Sequence, residues 1–325
     1  MENIVQNQRK EPLSFWKTRT GKRMIFYIII CALPVLQFCI FTFYVNFNSI
    51  VMAFEKYDYA VQGQDAIVKS FAGFANFATA WNAITEKGYM FTNSLWLFVS
   101  NIFITIPLAL VFSFYLCKKC AFSGFFRVIL YMPNIISPMI FALLFQRIVN
   151  WVIPSVFELT NENGSFIQVL SISQGNPSYG VILFFNIWVS FGVNVLMFTG
   201  AMSGINASVV ESAQLDGAGI VAEFFHITVP MIFSTVSTFV VLSMTGIFTN
   251  QMHLYTFFGF NATGIETIGY YMYAAAQRSG EVLIHGGSWL TYPELAALGL
   301  ILTVFVAPIT FLTRKLFDKY GPSED

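Results

Sequence analysis

Charged residues are scarce in this chain of 325 residues: they make up 10% of the sequence, whereas hydrophobic residues make up 56%. A soluble domain carries about 25% charged residues, so this composition excludes an ordinary soluble protein. The 37 phenylalanines and 14 tyrosines and a mean hydropathy of +0.65 point to an integral membrane protein. The formal net charge is zero, and we expect no nucleic-acid partner.

Cysteine and histidine are few, with four and three residues. A structural zinc site needs four clustered ligands, but the histidines are scattered and the cysteine pair of "CKKC" (117–120) has no further ligands beside it. We therefore predict no metal site. The pattern G-x-x-x-x-G-K-[ST] does not occur in the sequence, which excludes a P-loop nucleotide-hydrolysing enzyme. No grouping of serine, histidine and carboxylate indicates a hydrolase.

Long apolar runs are what the sequence has in abundance. Such runs predict transmembrane helices, because about 20 residues cross the hydrocarbon core. Backbone groups cannot stay unpaired in lipid, so the predicted fold class is an all-α integral membrane protein with six transmembrane helices. Prolines inside these helices, including Pro133 and Pro138, should kink them. The six predicted spans are approximately 24–45, 94–116, 128–149, 179–202, 230–249 and 295–312.

The positions of lysine and arginine predict the orientation, because cytoplasmic loops carry an excess of them. Twelve of the 17 lie before the first span, after the second or after the sixth, whereas four lie in the opposite loops. Both termini are therefore predicted to be cytoplasmic. The predicted layout is a cytoplasmic tail (1–23), a first helix (24–45), an extracytoplasmic loop (46–90), a transmembrane core (91–314) and a cytoplasmic tail (315–325).

The segment "ESAQLDGAGIVAEFFHITVP" (211–230) has three acids and no lysine or arginine, although the topology puts it on the cytoplasmic side. A cap at Asn206 or Ser208 and a turn at 216–219 predict a short helix, a turn and a second helix. One interpretation is a surface for a partner with basic groups, since an acidic loop is repelled by anionic lipid. The other is an ordinary polar connector.

The same segment resembles the EAA motif of binding-protein-dependent ABC importer permeases. In that motif E-A-A is followed by three residues, G, nine residues, I, one residue and L-P. Two positions depart from it, with Ser212 in place of alanine and Val229 in place of leucine. The matching positions are Glu211, Ala213, Gly217, Ile227 and Pro230.

Three further elements are similar to those of sugar permeases of the maltose-transporter type, which have a MetI-like transmembrane domain. "FAGFANF" (71–77) is similar to their F-x-G-x-x-N-[FY] element, and "FFRVILYMPNIISPMI" (125–140) to their third-span entrance. The end of the chain is similar to their last span and basic tail. The resemblance extends from about residue 24 to 320.

The resemblance implies a bacterial inner-membrane importer for carbohydrates, in which this chain pairs with a second homologous permease. It further implies two ATPase subunits, which would hold ATP and Mg, and an extracytoplasmic solute-binding protein; this chain would bind no cofactor. Residues 203–230 would form a coupling loop that enters a cleft of the ATPase, with Glu211 paired to a basic group there. The implied coupling residues are Glu211, Ser212, Ala213, Asp216, Gly217, Ala218, Phe224 and Pro230.

Polar side chains inside the spans are candidates for a substrate path, because they are costly in lipid. Asn186, Ser190 and Asn194 are four residues apart and therefore share one helical face, close to Trp188. Near the outer end of the fifth span lie Asn250 and Gln251. The alternative for all of these is hydrogen bonding between helices.

Other functions stay open at this point. The chain could belong to an importer of a solute other than a sugar. A multi-pass membrane enzyme is the alternative from another class, although the acidic segment lacks a base or a metal-binding set.

Overall fold

The computed structural model describes residues 19–59, 67–118, 122–157, 178–285 and 287–322. Most of the predicted N-terminal tail, the second cysteine of "CKKC" and the last three residues lie outside this range. The described helices, including π-helical turns, are Arg19–Phe38, Cys39–Tyr44, Val45–Met52, Ala75–Glu86, Tyr89–Ser100, Asn101–Thr105, Ile106–Cys117, Ser123–Ile135, Pro138–Arg147, Ile148–Val152, Ile153–Val156, Tyr179–Ser203, Ala207–Leu215, Ile220–Glu223, Phe224–Thr228, Val229–Met231, Phe233–Gly246, Leu254–Phe258, Ile268–His285 and Tyr292–Tyr320.

Five continuous helices are long and apolar enough to cross a membrane. We call them the first, second, third, fourth and sixth membrane helices: Phe26–Met52, Tyr89–Cys117, Pro138–Val156, Tyr179–Ser203 and Tyr292–Tyr320. The fifth, Phe233–Gly246, follows Ile220–Met231 at an angle of 69°. Counted as one span, this bent pair completes the predicted set of six. The bend lies at Ile232, two residues after Pro230.

The third predicted span is broken, as its prolines indicated. One helix, Ser123–Ile135, ends before the break, and the third membrane helix starts at Pro138. Proline forces the residue before it out of the helical region, and Ser137 accordingly has a ψ of 128°. Pro133 is accommodated inside the helix that precedes the break.

Several predicted boundaries differ from the structure. The third membrane helix is Pro138–Val156 and not 128–149, and the sixth is Tyr292–Tyr320 and not 295–312. The first and second spans are also longer than predicted. The first membrane helix continues beyond Val45 to Met52, and the second begins at Tyr89, before the predicted start at Ser94. Both extensions lack proline and glycine, so nothing in the local sequence stops a helix. Part of the predicted extracytoplasmic loop is therefore helical.

Prolines explain three of the four described π-helical turns. Each of these turns ends two residues before a proline: Thr105 before Pro107, Val152 before Pro154, and Thr228 before Pro230. A proline ring clashes with the carbonyl one turn earlier, and the wider π-turn makes room for it. The helices therefore continue through these prolines.

The motif "FAGFANF" forms a corner at the end of the first membrane helix. Two antiparallel strands, Glu55–Tyr59 (β1) and Ile67–Phe71 (β2), lead into it, with Glu55 opposite Phe71. Gly73 then adopts a φ of +58°. The buried Asn76 donates from Nδ2 to the carbonyls of Ala53 at 2.9 Å and Glu55 at 2.8 Å, which ties the corner to the end of that helix.

The hydrophobic core is shared by the second, third, fourth, fifth and sixth membrane helices. One cluster joins the C-terminal halves of the second and fourth membrane helices through Leu110, Val195 and Phe198. It includes Phe224 of the segment 203–230, for which we keep the name coupling loop from the role that the resemblance implies. The first membrane helix does not contribute to this core, because none of its described side chains is buried within this chain. The core thus connects the coupling loop directly to the membrane helices.

Candidate coupling loop and cavity

The coupling loop begins with the helix Ala207–Leu215, which is capped at its start. Asn206 is the N-cap residue, and its Oδ1 accepts a hydrogen bond from the backbone N–H of Ser208 at 3.1 Å. This bond satisfies one of the donors that a helix start leaves free. The sequence placed the cap at Asn206 or Ser208, and the structure assigns it to Asn206.

The same helix ends in a glycine-dependent turn. The N–H of Gly217 donates to the carbonyl of Gln214 at 3.1 Å, and the N–H of Ala218 donates to that of Ala213 at 2.9 Å. This pair of bonds is the Schellman motif, whose C′ residue needs a positive φ. Gly217 supplies it with φ of +85°, and Asp216 before it is the C-cap. The predicted turn is therefore formed.

The tip of the loop presents both acidic and apolar side chains to the surface. Glu211, Ser212 and Asp216 are exposed. Beside them, Leu215 is 89% exposed and Ile220 is 72% exposed. Isolated apolar side chains are normal on a surface, but several together mark a contact site. The tip can therefore bind a partner through apolar contact and negative charge.

A buried carboxylate, Glu223, fixes the base of the loop. It is 3% exposed and forms an ion pair with Lys118, which follows the last residue of the second membrane helix. Gln214, in the exposed helix of the loop, donates from Nε2 to the other carboxylate oxygen of Glu223 at 3.3 Å. One carboxylate thus joins the exposed helix of the loop to the second membrane helix.

Phe224 and Pro230 connect the loop to the core. The buried Phe224 packs its ring 5.1 Å from the ring of Phe114 in the second membrane helix. Pro230 lies in the helical turn just before the bend at Ile232. The structure therefore brings these two predicted residues to the base of the loop, away from the exposed Glu211 and Asp216.

A cavity of about 360 Å³ lies between the second, fourth and fifth membrane helices and the helix Ser123–Ile135. This volume falls in the range of ligand sites, roughly 300–1,000 Å³. Its lining includes four asparagines and two serines: Asn101, Asn134, Asn194, Asn250, Ser190 and Ser243. Amide and hydroxyl groups are the donors and acceptors that a polyhydroxylated solute would use.

Three of the six residues predicted for a substrate path line this cavity, namely Ser190, Asn194 and Asn250. Asn186, although on the same helical face, is buried one turn away, at 7% exposure. Trp188 instead packs against Phe141, with ring centroids 5.1 Å apart. Gln251 does not line the cavity either. The spacing of four residues therefore identified the helical face that meets the cavity, but it did not give the depth of the cavity along the helix.

Two of the remaining polar lining residues, Asn101 and Asn134, lie in helices to which the sequence analysis assigned no site. Asn101 lies in the π-helical turn of the second membrane helix and donates from Nδ2 to Ser243 Oγ at 3.3 Å, while its Oδ1 is buried without a partner. Asn134 donates to the carbonyl of Val189 at 3.3 Å. The available signal was a polar amide beside a proline in an apolar run, as at Asn134, which directly follows Pro133.

His253 lies just outside the fifth membrane helix, in the turn that follows Asn250. It has a φ of +56°, and its ring lies edge-on to that of Phe185 at 5.6 Å. Burial lowers the pKa of His253, so its neutral form is favoured.

The family model of the binding-protein-dependent transport system inner membrane component matches residues 118–322. The probable ABC transporter permease protein YurN of Bacillus subtilis is 27% identical over 237 residues, which are 69% of this chain and 76% of that protein. The arabinooligosaccharides transport system permease protein AraP of the same organism is 24% identical, over 97% of this chain and 98% of that one.

A solved structure has the same fold. It is a bacterial alginate ABC transporter in complex with an alginate pentasaccharide-bound periplasmic protein. One of its chains matches with a TM-score of 0.69 at 18% identity, over 94% of this chain and 97% of that chain. The matched family segment contains the coupling loop and five of the six polar lining residues of the cavity. The chain therefore belongs to the family of inner membrane components of binding-protein-dependent transport systems.

Proposed function

We propose that this chain is the permease subunit of an ATP-driven importer for carbohydrates, most of all oligosaccharides. The observation that carries the proposal is the coupling loop, which presents an acidic and apolar tip while its base is fixed to the membrane helices. The relative AraP and the alginate transporter are both named for saccharides. The amides and hydroxyls of the cavity suit the same class of substrate.

The partners of this proposal follow from the motif and from the charges. Two ATPase subunits hold ATP and Mg and receive the coupling loop, while this chain itself is not catalytic. A second permease completes the path, and an extracytoplasmic binding protein delivers the sugar. Both termini and the loop are cytoplasmic; the excess of lysine and arginine in the two tails and after the second span supports this orientation.

Glu211 gives the most direct test of coupling. It is exposed at the tip of the loop, so reversing its charge need not disturb the core. We expect Glu211→Lys to lower uptake by about tenfold or more, because like charges across an interface cost several kcal/mol and about 1.4 kcal/mol is tenfold. The measurement is uptake by cells and co-purification of the ATPase subunits.

Glu281→Lys is the matched control. Glu281 is also an exposed helical glutamate, but it lies in Ile268–His285, on the side that the charges predict to be extracytoplasmic. Its replacement should leave ATPase co-purification unchanged. Normal uptake and normal co-purification in the Glu211→Lys variant would contradict the coupling role.

The substrate class is tested on the binding protein. Isolated and titrated with arabino-, galacto- and malto-oligosaccharides, it should bind at least one of them. Exclusive binding of an amino acid or of inorganic phosphate would contradict the carbohydrate assignment and would leave the importer assignment in place.

A further inference from the structure

We propose that the Glu223–Lys118 ion pair is a positioning device that makes the coupling loop and the second membrane helix move as one body. This inference rests on the proposed importer function and adds to it the route from the loop to the cavity. Neither residue belongs to the matching positions of the coupling motif. The pair is instead defined by the fold, which brings position 223 to the end of a helix more than 100 residues earlier in the chain.

The first argument is burial. Glu223 is 3% exposed, and Lys118 is the one cation that forms an ion pair with it among the described residues. Removing a carboxylate from water is costly, and an apolar pair of similar volume would stabilise the site as well or better. A buried pair therefore fixes one specific arrangement of the two segments, because any other arrangement leaves a buried charge unpaired.

The second argument is that each charge lies at the helix end that favours it. Lys118 follows the C-terminal end of the second membrane helix, and Glu223 lies in the first turn of the continuous helical segment Ile220–Met231. Helix C-termini stabilise cations and N-termini stabilise anions. The ion pair thus joins two helix ends of opposite polarity.

The third argument is that several contacts act between the same two segments. Phe114 lies one helical turn before Lys118, and its ring packs against Phe224, the neighbour of Glu223. The Lys118 ammonium also lies 5.4 Å from the centre of the Phe114 ring. On the loop side, Gln214 donates to Glu223. A displacement of the loop relative to the second membrane helix would therefore break the ion pair and the ring contact together, while Gln214 keeps Glu223 attached to the exposed helix of the loop.

The fourth argument connects the pair to the cavity. The second membrane helix carries Lys118 beyond its inner end and Asn101 in the wall of the cavity. These residues are on the order of 25 Å apart along the helix at 1.5 Å per residue. A movement imposed on the coupling loop thus reaches a polar group of the cavity through one continuous helix.

The experiment uses the complete assembly in proteoliposomes, with both permeases, the ATPases and the binding protein. It measures uptake of a mixture of arabino-, galacto- and malto-oligosaccharides, hydrolysis of Mg-ATP, and the amount of ATPase that co-purifies. Glu223→Gln keeps the shape and removes the charge. We expect normal co-purification but a fall in sugar transported per ATP hydrolysed of about fivefold or more, the usual range of a coupling energy.

Lys118→Met should have a larger effect, because it leaves the Glu223 carboxylate buried and unpaired. In the double variant, Lys118→Met with Glu223→Gln, the sugar transported per ATP hydrolysed should recover to the value of Glu223→Gln alone, since contacting residues give non-additive effects. Asp318→Asn is the matched control, because it breaks the exposed Arg314–Asp318 pair, which spans 4.0 Å with side chains 75% and 73% exposed. Exposed pairs contribute little, so it should leave the ratio unchanged.

A second measurement covers the case in which Lys118→Met does not reach the membrane. In a chain without its native cysteines, Lys118→Cys and Glu223→Cys are joined by a short bis-maleimide. The cross-linked assembly should transport as much sugar per ATP hydrolysed as the wild type, and the assembly that is not cross-linked should transport less. Loss of uptake on linking, or a wild-type ratio in Glu223→Gln, would overturn the inference. A wild-type assembly that takes up none of the probes would contradict the proposed function instead.

Discussion

Gly192 lies where the fourth membrane helix packs closely against the helix Ser123–Ile135, and it allows a quantitative prediction. A Cβ built on Gly192 would overlap the carbonyl oxygen of Leu130 and lie 2.8 Å from Asn134 Nδ2. Neither neighbour can yield easily, since one is backbone and the other donates to Val189. Gly192→Ala should therefore push these two helices apart.

The magnitude follows from two opposing effects. Alanine gains about 1 kcal/mol over glycine in helix propensity, whereas overpacking of this kind costs about 1–3 kcal/mol. Gly200 is the control within the same helix, because a Cβ there meets no atom within 4 Å. Gly200→Ala should keep the propensity gain alone. The difference in unfolding free energy between the two variants therefore measures the cost of the close contact at Gly192, which we expect to be about 1–3 kcal/mol.

Thermal unfolding of the purified chain in detergent measures this difference. Gly192→Ala should unfold at a lower temperature than Gly200→Ala, by roughly 2 °C or more per kcal/mol. Because Asn134 lines the cavity, uptake should fall in the Gly192→Ala variant as well. Equal unfolding temperatures for the two variants would refute the close approach of the two helices.

The remaining predictions concern the corner at Asn76, the cavity, and the turn that carries His253. Asn76→Ala should lower the unfolding free energy by about 1–3 kcal/mol, because it leaves two carbonyls without their donor; limited proteolysis near the strands should then be faster. Asn194→Leu should raise the KM for uptake more than Asn186→Leu does, because only Asn194 lines the cavity; equal effects would argue against this cavity as the path. Burial lowers the pKa of His253, so the stability contributed by its neutral form is present above about pH 6.5 and is lost as the pH falls below that value. His253→Asn should flatten this pH dependence in thermal-inactivation assays, since asparagine tolerates a positive φ.

The helical class, the number of spans and the turn of the coupling loop could be predicted because each depends on neighbouring residues. An apolar run of span length has to be helical in lipid, and Asp216-Gly217 carries its own turn geometry. Asn186, Ser190 and Asn194 were correctly placed on one face. Their depth was not predictable, because a helical repeat gives direction around the axis and not distance from a neighbouring helix.

The sequence by itself determined that this chain is a mostly helical membrane protein with an acidic, glycine-capped loop, since composition and short-range spacing decide those properties. Only the tertiary structure decided that Glu223 is buried against Lys118 and that Asn101, Asn134 and Ser243 join Asn194 around one cavity. These contacts connect residues far apart in the chain. Their partners are selected by the packing of the helices, and no local pattern records that packing.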